Sequence, residues 1–344
     1  MPDTRFGLLP TMIGSLPHTS ARTACELVAK YLKEIPCWPQ LPRRTFRENM
    51  YVQFSEGLPG VVIEEDEKRI YVDPSGISDR DMERLYITYL ENNVDRFPVS
   101  REYAEGLYEF LAQNSISPIA VKGQVTGPVS FGLTVKDRRG QPLIYDENLA
   151  DLTAKLLRLK AGWQERELAK VFKNTIVFVD EPYLVSLGSA YVVISKEKAQ
   201  KLLEEVFGGI RGLKGIHCCG NTDWQLLLST STDILSFDAY NYAQPFSLYP
   251  AEVGKFIQRG GAVAWGIVPN GEDELKRETV SSLKDRLEEA IAPFTRKGIR
   301  FESLAEHGLL TPSCGLATLS EEAAETALRL LAELSVVMRK AYVR

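Results

Sequence analysis

The chain has 344 residues, 44% hydrophobic and 25% charged, with a net charge of −5. This is an ordinary globular composition, and an acidic balance with no long basic stretch argues against a nucleic-acid partner. No apolar run approaches the roughly 20 residues that cross a bilayer, the start Met1-Pro2-Asp3-Thr4-Arg5 has no signal-peptide core, and five cysteines, two of them adjacent, fit the reducing cytoplasm better than a disulfide framework.

In chain order, a first strand is expected from Leu8 to Ile13. It leads into Ile13-Gly14-Ser15, whose backbone N–H groups and hydroxyl could receive a carboxylate or form an ordinary turn. Cys25 and Cys37 read as plain thiols, and Arg43-Arg44-Thr45-Phe46-Arg47 as a solvated basic loop. Val61 to Glu64 is either a barrel strand or, with Arg69 to Val72, an inserted hairpin. Ile119 to Gln124 is a strand whose continuation through Gly127-Pro128 lacks phosphate-loop spacing, so Lys122 and its neighbours receive no chemistry. Leu149, Leu152, Leu156, Leu159 and Trp163 repeat at helical spacing. Thr175 to Val179 ends on Asp180-Glu181-Pro182, two acids placed either to hold a substrate or to cap a helix.

Strands at Gly215 to Cys219, Ile234 to Phe237, Ala262 to Ile267 and Leu309 to Pro312 follow. Thr318-Leu319-Ser320-Glu321 is a capping-box start for a last helix carrying Ala327, Leu331, Leu334 and Met338. Short β-branched runs alternating with amphipathic segments predict an α/β fold, one (β/α)8 TIM barrel with an elaborated N-terminal insertion at roughly 36–115.

The chemistry gathers in the second half. His217 and Cys219 lie two apart on a strand and share a face, while the intervening Cys218 points the other way. Asp238 and Cys314, the latter in Pro312-Ser313-Cys314-Gly315, sit at other strand ends. Strand C-termini form the catalytic face of a (β/α)8 barrel, so these four are the metal-ligand candidates. Two thiolates and an imidazole favour zinc. Ligands so widely spread along the chain fit an open catalytic site better than a closed structural one. Two thiolates also make zinc a poor activator of water, which points to an incoming thiol as the group acted upon. No nucleophile elbow and no dinucleotide glycine fingerprint is present.

Thr11-Met12-Ile13-Gly14-Ser15-Leu16-Pro17, Val179-Asp180-Glu181-Pro182, His217-x-Cys219, the strand ending in Asp238 and Pro312-Ser313-Cys314-Gly315-Leu316, in that order, resemble the catalytic barrel of the cobalamin-independent methionine synthase family. That family groups with uroporphyrinogen decarboxylase and the corrinoid-dependent thiol methyltransferases. His217-Cys218-Cys219-Gly220-Asn221 is also similar to the His-x-Cys-Gly-Asn segment of enzymes that methylate coenzyme M.

The resemblance implies zinc on His217, Cys219 and Cys314, with Asp238 at the position of a glutamate ligand and one methylene shorter. It implies that Ile13, Gly14, Ser15 and Asp180 hold the carboxylate and amino group of homocysteine. Two departures stand out. An acid that grips the amino group falls on Arg44, with Glu48 nearby, and the histidine of a Tyr-Asp-Ile-His-like strand end is missing from Val263-Ala264-Trp265-Gly266-Ile267-Val268. The chain resembles the short, catalytic-barrel-only members, which implies a zinc-dependent methyltransferase of methionine biosynthesis. The implied donor is methylcobalamin or a methylated corrinoid protein, and the acceptor is homocysteine. The alternatives are another thiol acceptor such as coenzyme M, or a non-catalytic zinc- or corrinoid-binding protein.

Overall fold

A computed structural model describes residues 5–113, 117–189 and 192–343. The segment Met1–Thr4, on which the reading of a missing signal-peptide core rests, lies outside the described residues. The strands are β1 (Leu9–Pro10), β2 (Val61–Glu64), β3 (Arg69–Val72), β4 (Val121–Thr126), β5 (Lys136–Asp137), β6 (Thr175–Asp180), β7 (Leu213–Cys218), β8 (Ile234–Phe237), β9 (Ala262–Val268) and β10 (Gly308–Pro312). Seven of them form one curled sheet in the order β1-β10-β9-β8-β7-β6-β4, and every pairing in it is parallel. Helices cover the outer face, so β4, β6, β8, β9 and β10 are buried throughout and read as nearly unbroken apolar runs.

Of the two readings of Val61 to Glu64, the structure bears out the hairpin, and this strand is not in the seven-stranded sheet. It pairs antiparallel with β3 through a tight turn at 65–68, and β5 joins β3 in a separate three-stranded sheet. The place between β1 and β4 is taken instead by the segment 34–40. Pro36 O accepts from Lys122 N at 2.9 Å and Trp38 N donates to Lys122 O at 3.3 Å on the β4 side. On the other side Gln40 N donates to Gly14 O at 3.0 Å and Gln40 O accepts from Leu16 N at 2.9 Å. Pro36 and Pro39 have no N–H to give, so the segment bridges the two edges without forming a regular ladder.

Strand periodicity decides what lies inside the curl. Leu9, Ala120, Ile176, Leu213, Ile234, Ala262 and Leu309 belong to one apolar cluster that also includes Phe178 and Ala264. Two residues further along each strand, the same inner face carries Lys122, Phe178, Gly215, Ser236 and Ala264. Gly215 is required by this layer, because a Cβ there would come within 2.0 Å of the Phe178 ring. The next inner positions are Gln124, Asp180, His217 and Asp238. A dry apolar floor thus rises, in steps of two residues, to a polar rim at the C-terminal ends of the strands.

The long helices fall where helical spacing places them, at Glu147–Ala169 and Glu321–Tyr342. The last one is capped by Ser320, which accepts from Ala323 N, and not by a Thr318–Glu321 box. Among the described residues no helix is long and apolar enough to cross a membrane.

Candidate metal and substrate site

His217 is the penultimate residue of β7, Cys219 follows that strand, and Cys314 lies in the turn after β10. Their ligand atoms all lie within 4.8 Å of one another. Cys218 faces the opposite side as expected. It is buried, points to Gly220 O, and burial pushes its thiol up to about 12. Gly220 is tight against Val185, which a Cβ would approach to 2.5 Å.

The imidazole is oriented by a residue the sequence reading did not single out. His217 Nδ1 is 3.0 Å from Ser236 Oγ, while buried Nε2 has no hydrogen-bond partner among the described residues. If Nδ1 donates to Ser236, Nε2 presents its lone pair. A hydrogen bond from Cys314 and the nearby His217 hold the Cys219 thiol well below the usual thiol range, and Cys314 is pushed up in return. An orphaned imidazole nitrogen beside two such thiols fits zinc, and the three residues leave a fourth coordination position for another group.

Asp238 does not join this cluster. It caps the helix Ala239–Phe246, with Oδ1 accepting from Asn241 N at 2.9 Å and Oδ2 from Asn241 Nδ2 at 2.8 Å. Its place is beside the thiols, where its charge is felt by His217 and Cys219.

The two acids after β6 separate. Glu181 turns away and accepts from Val129 N at 2.8 Å, Ser130 N at 2.7 Å and Ser130 Oγ at 2.5 Å, capping the helix Pro128–Thr134. Asp180 points into the site. It is only 7% exposed, and its Oδ1 meets no donor among the described residues. Burial raises it to about 6, although Lys122 and His217 pull the other way. A buried carboxylate with no bonded partner is costly and calls for a cation.

Ile13, Ser15, Asp180, His217, Cys219 and Cys314 all line a cavity of about 310 Å³ at the C-terminal ends of the strands. Cys314-Gly315 packs directly on Ser15, since a Cβ at Gly315 would fall 2.2 Å from Ser15 Oγ. Glu48 also reaches this wall, but Leu41 N donates to it at 3.1 Å and Arg44 is ion-paired with it. Arg44 further donates to Glu102 O at 3.3 Å and does not line the cavity. Asn270, past the end of β9, lines it too, and its Oδ1 accepts from Ser313 Oγ at 2.9 Å. A larger hollow of about 660 Å³ lies at the opposite end of the sheet, beside Thr175 and Leu213, and none of its lining residues is a cysteine or histidine. The chemistry makes the smaller cavity the candidate functional site.

Ser236→Ala removes the hydrogen bond to His217 Nδ1. It is expected to weaken zinc binding roughly 10- to 100-fold, measured by competition with a chelator. Unchanged affinity would show that Ser236 has no part in orienting His217.

No protein-family model matches the chain, and a search of curated proteins finds no match. Among solved structures, the chain is similar to a B12-independent methionine synthase from a Shewanella species in complex with selenomethionine, with 17% identity and a TM-score of 0.63. The superposition covers 97% of this chain and 98% of that one. At this identity the likeness is one of fold, an α/β architecture on a curled parallel sheet.

Proposed function

We propose that this chain is a zinc-dependent methyltransferase that transfers a methyl group to the thiol of homocysteine, forming methionine. One observation carries the reading: His217, Cys219 and Cys314 converge in the same cavity wall as the unpaired, buried Asp180. We also read the segment 34–40 as the eighth stave of a (β/α)8 barrel forming a single domain, with the hairpin β2–β3 inside the N-terminal insertion.

Zinc held by His217, Cys219 and Cys314 would supply a Lewis acid that keeps an acceptor sulfur deprotonated at neutral pH. The chain's own residues do the rest. Asp180 receives the amino group, the Gly14 and Ser15 amides with the Ser15 hydroxyl receive the carboxylate, and Asp238 supports the cluster from outside it. Both ends of the amino acid are thereby fixed, and its side chain is aimed at the thiols. The space of about 310 Å³ suits a small acceptor.

On the donor side, Asn270 stands near the end of β9. An amide donates hydrogen bonds but does not give up a proton, so this wall supports a leaving group that departs without one. Methylcobalamin, free or on a corrinoid protein, meets that requirement, whereas the nitrogen of methyltetrahydrofolate has to be protonated. A sulfonate acceptor such as coenzyme M would need a free cation, and Arg44 is engaged by Glu48 and Glu102.

The test crosses two donors, methylcobalamin and methyltetrahydrofolate, with two acceptors, homocysteine and coenzyme M, and scores the methylated thiol. Homocysteine with methylcobalamin is the pair expected to turn over. Turnover of coenzyme M alone would sink the amino-acid reading. Stoichiometric zinc without turnover of any pair, together with loss of the fold on chelation, would identify a zinc-stabilised binding protein.

A further inference from the structure

Lys122 is fully buried on the inner face of β4, yet neither the sequence reading nor the proposed chemistry uses it. Its ammonium sits 4.3 Å from the centre of the Phe178 ring. It donates to Ile13 O at 2.6 Å, with Gln124 Oε1 at 3.4 Å and Cys37 Sγ at 3.7 Å. Desolvating an ammonium is costly, so what it holds in place matters.

The carbonyls of Ile13, Gly14 and Ser15 are all occupied. Ile13 O accepts from Lys122, Gly14 O from Gln40 N at 3.0 Å and Ser15 O from Leu316 N at 2.9 Å. No acceptor faces the Gly14 or Ser15 amide among the described residues. In a trans peptide the C=O and the following N–H point in opposite directions. Lys122, holding Ile13 O from inside the curl of the sheet, therefore turns the Gly14 N–H away from itself, between Ile13 and Ser15, which line the cavity. The bond from Gln40 N to Gly14 O likewise turns the Ser15 N–H away from Gln40. Gly14 itself tolerates no side chain, since a Cβ would lie 2.7 Å from Gln40 Oε1 and 2.8 Å from Gln124 Cδ, and its φ is +156°. Two amides without an acceptor among the described residues thus stand close to the Lys122 ammonium, a set of groups that can receive a carboxylate.

We propose that Lys122 is a positioning residue for the acceptor: through Ile13 O it orients the 13–15 peptides so that they bind the carboxylate, and it contacts neither the acceptor nor the metal ligands. The inference rests on the amino-acid acceptor proposed above. It also makes Lys122 selective for one end of the ligand, because the amino group is received separately by Asp180.

The experiment compares calorimetric binding of methionine with that of 3-(methylthio)propylamine, the same molecule without its carboxylate, to the full chain with zinc added. Wild type should favour methionine. Lys122→Met should erase about a tenfold or greater part of that preference, the effect of losing one well-aimed bond to a charged group, while bound zinc stays unchanged. General loosening of the site would weaken both ligands alike and leave the ratio intact. Lys122→Gln, which keeps a polar head in the interior but cannot reach Ile13 O, should lose the preference as well and serves if the methionine variant does not fold. A wild-type ratio in either variant overturns the proposal. Binding of neither compound by the wild type would instead remove the amino-acid reading of the site, and this proposal with it.

Discussion

Cys219→Ala should lose bound zinc and methyl transfer together. The cluster offers three donors, one imidazole nitrogen and two sulfurs, which is the smallest set that holds a catalytic zinc with a position left open. Removing one leaves two, and the penalty should greatly exceed the roughly 10- to 100-fold cost of losing an outer hydrogen-bond partner. The neighbouring thiol is the control. Cys218 is buried on the other side of the strand end, so Cys218→Ala should keep zinc and activity and cost only the stability of a small core truncation, about 1 kcal/mol. Metal content after gel filtration and a transfer assay on both variants decide the matter. One equivalent of zinc retained by Cys219→Ala would end the case for this cluster.

Asp180→Asn should leave zinc in place and cripple acceptor use. Truncating one partner of a buried charge pair costs about 2–5 kcal/mol, equivalent to roughly thirtyfold to several thousandfold in kcat/KM for homocysteine. An acceptor thiol without an amino group should be affected far less. The same variant should be more stable than wild type. Burial raises Asp180 from 3.8 to about 6, so the folded chain binds this proton more tightly than the unfolded one. The carboxyl therefore favours folding at low pH, and that advantage disappears as pH rises through about 6. Asparagine never ionises, so the gain in thermal midpoint should be present at pH 7 and vanish near pH 4. Metal-free protein is the proper sample, because a nearby dication would draw the carboxyl back down. An unchanged KM for homocysteine, with wild-type zinc content, would remove Asp180 from the acceptor site.

The parallel sheet was legible because a strand buried on both faces leaves a nearly continuous apolar run, and β6, β8, β9 and β10 all have one. The meeting of His217, Cys219 and Cys314 was legible for a related reason. Two-residue periodicity put His217 and Cys219 on one face, and the C-terminal ends of parallel strands are neighbours in space however far apart they lie in sequence. The segment 34–40 escaped notice because Pro36, Cys37, Trp38 and Pro39 carry neither β-branched residues nor alternation. Its position is fixed by hydrogen bonds to both edges, which leave no mark in composition. Only the family resemblance set Asp180 apart from Glu181, since the physical difference lies in Glu181 finding Val129 N and Ser130. Lys122 was passed over as part of a strand, although the alternation that places Gln124 on the inner face places Lys122 there as well. A lysine at an inward position of a strand was the available signal. Arg44, read as part of a solvated basic loop, is ion-paired with Glu48 four residues on.

The donors of the candidate metal cluster come from separate strand ends, His217 and Cys219 at one and Cys314 at another with two strands between. A chain still emerging from the ribosome, with the first pair exposed and the last strand unmade, has only a weak two-donor clip. Tight capture of the ion has to wait until the final strand docks. On the proposed zinc reading, metal loading would be a late event that follows completed folding, and zinc scarcity would leave a pool of finished but empty molecules more than a pool of misfolded ones.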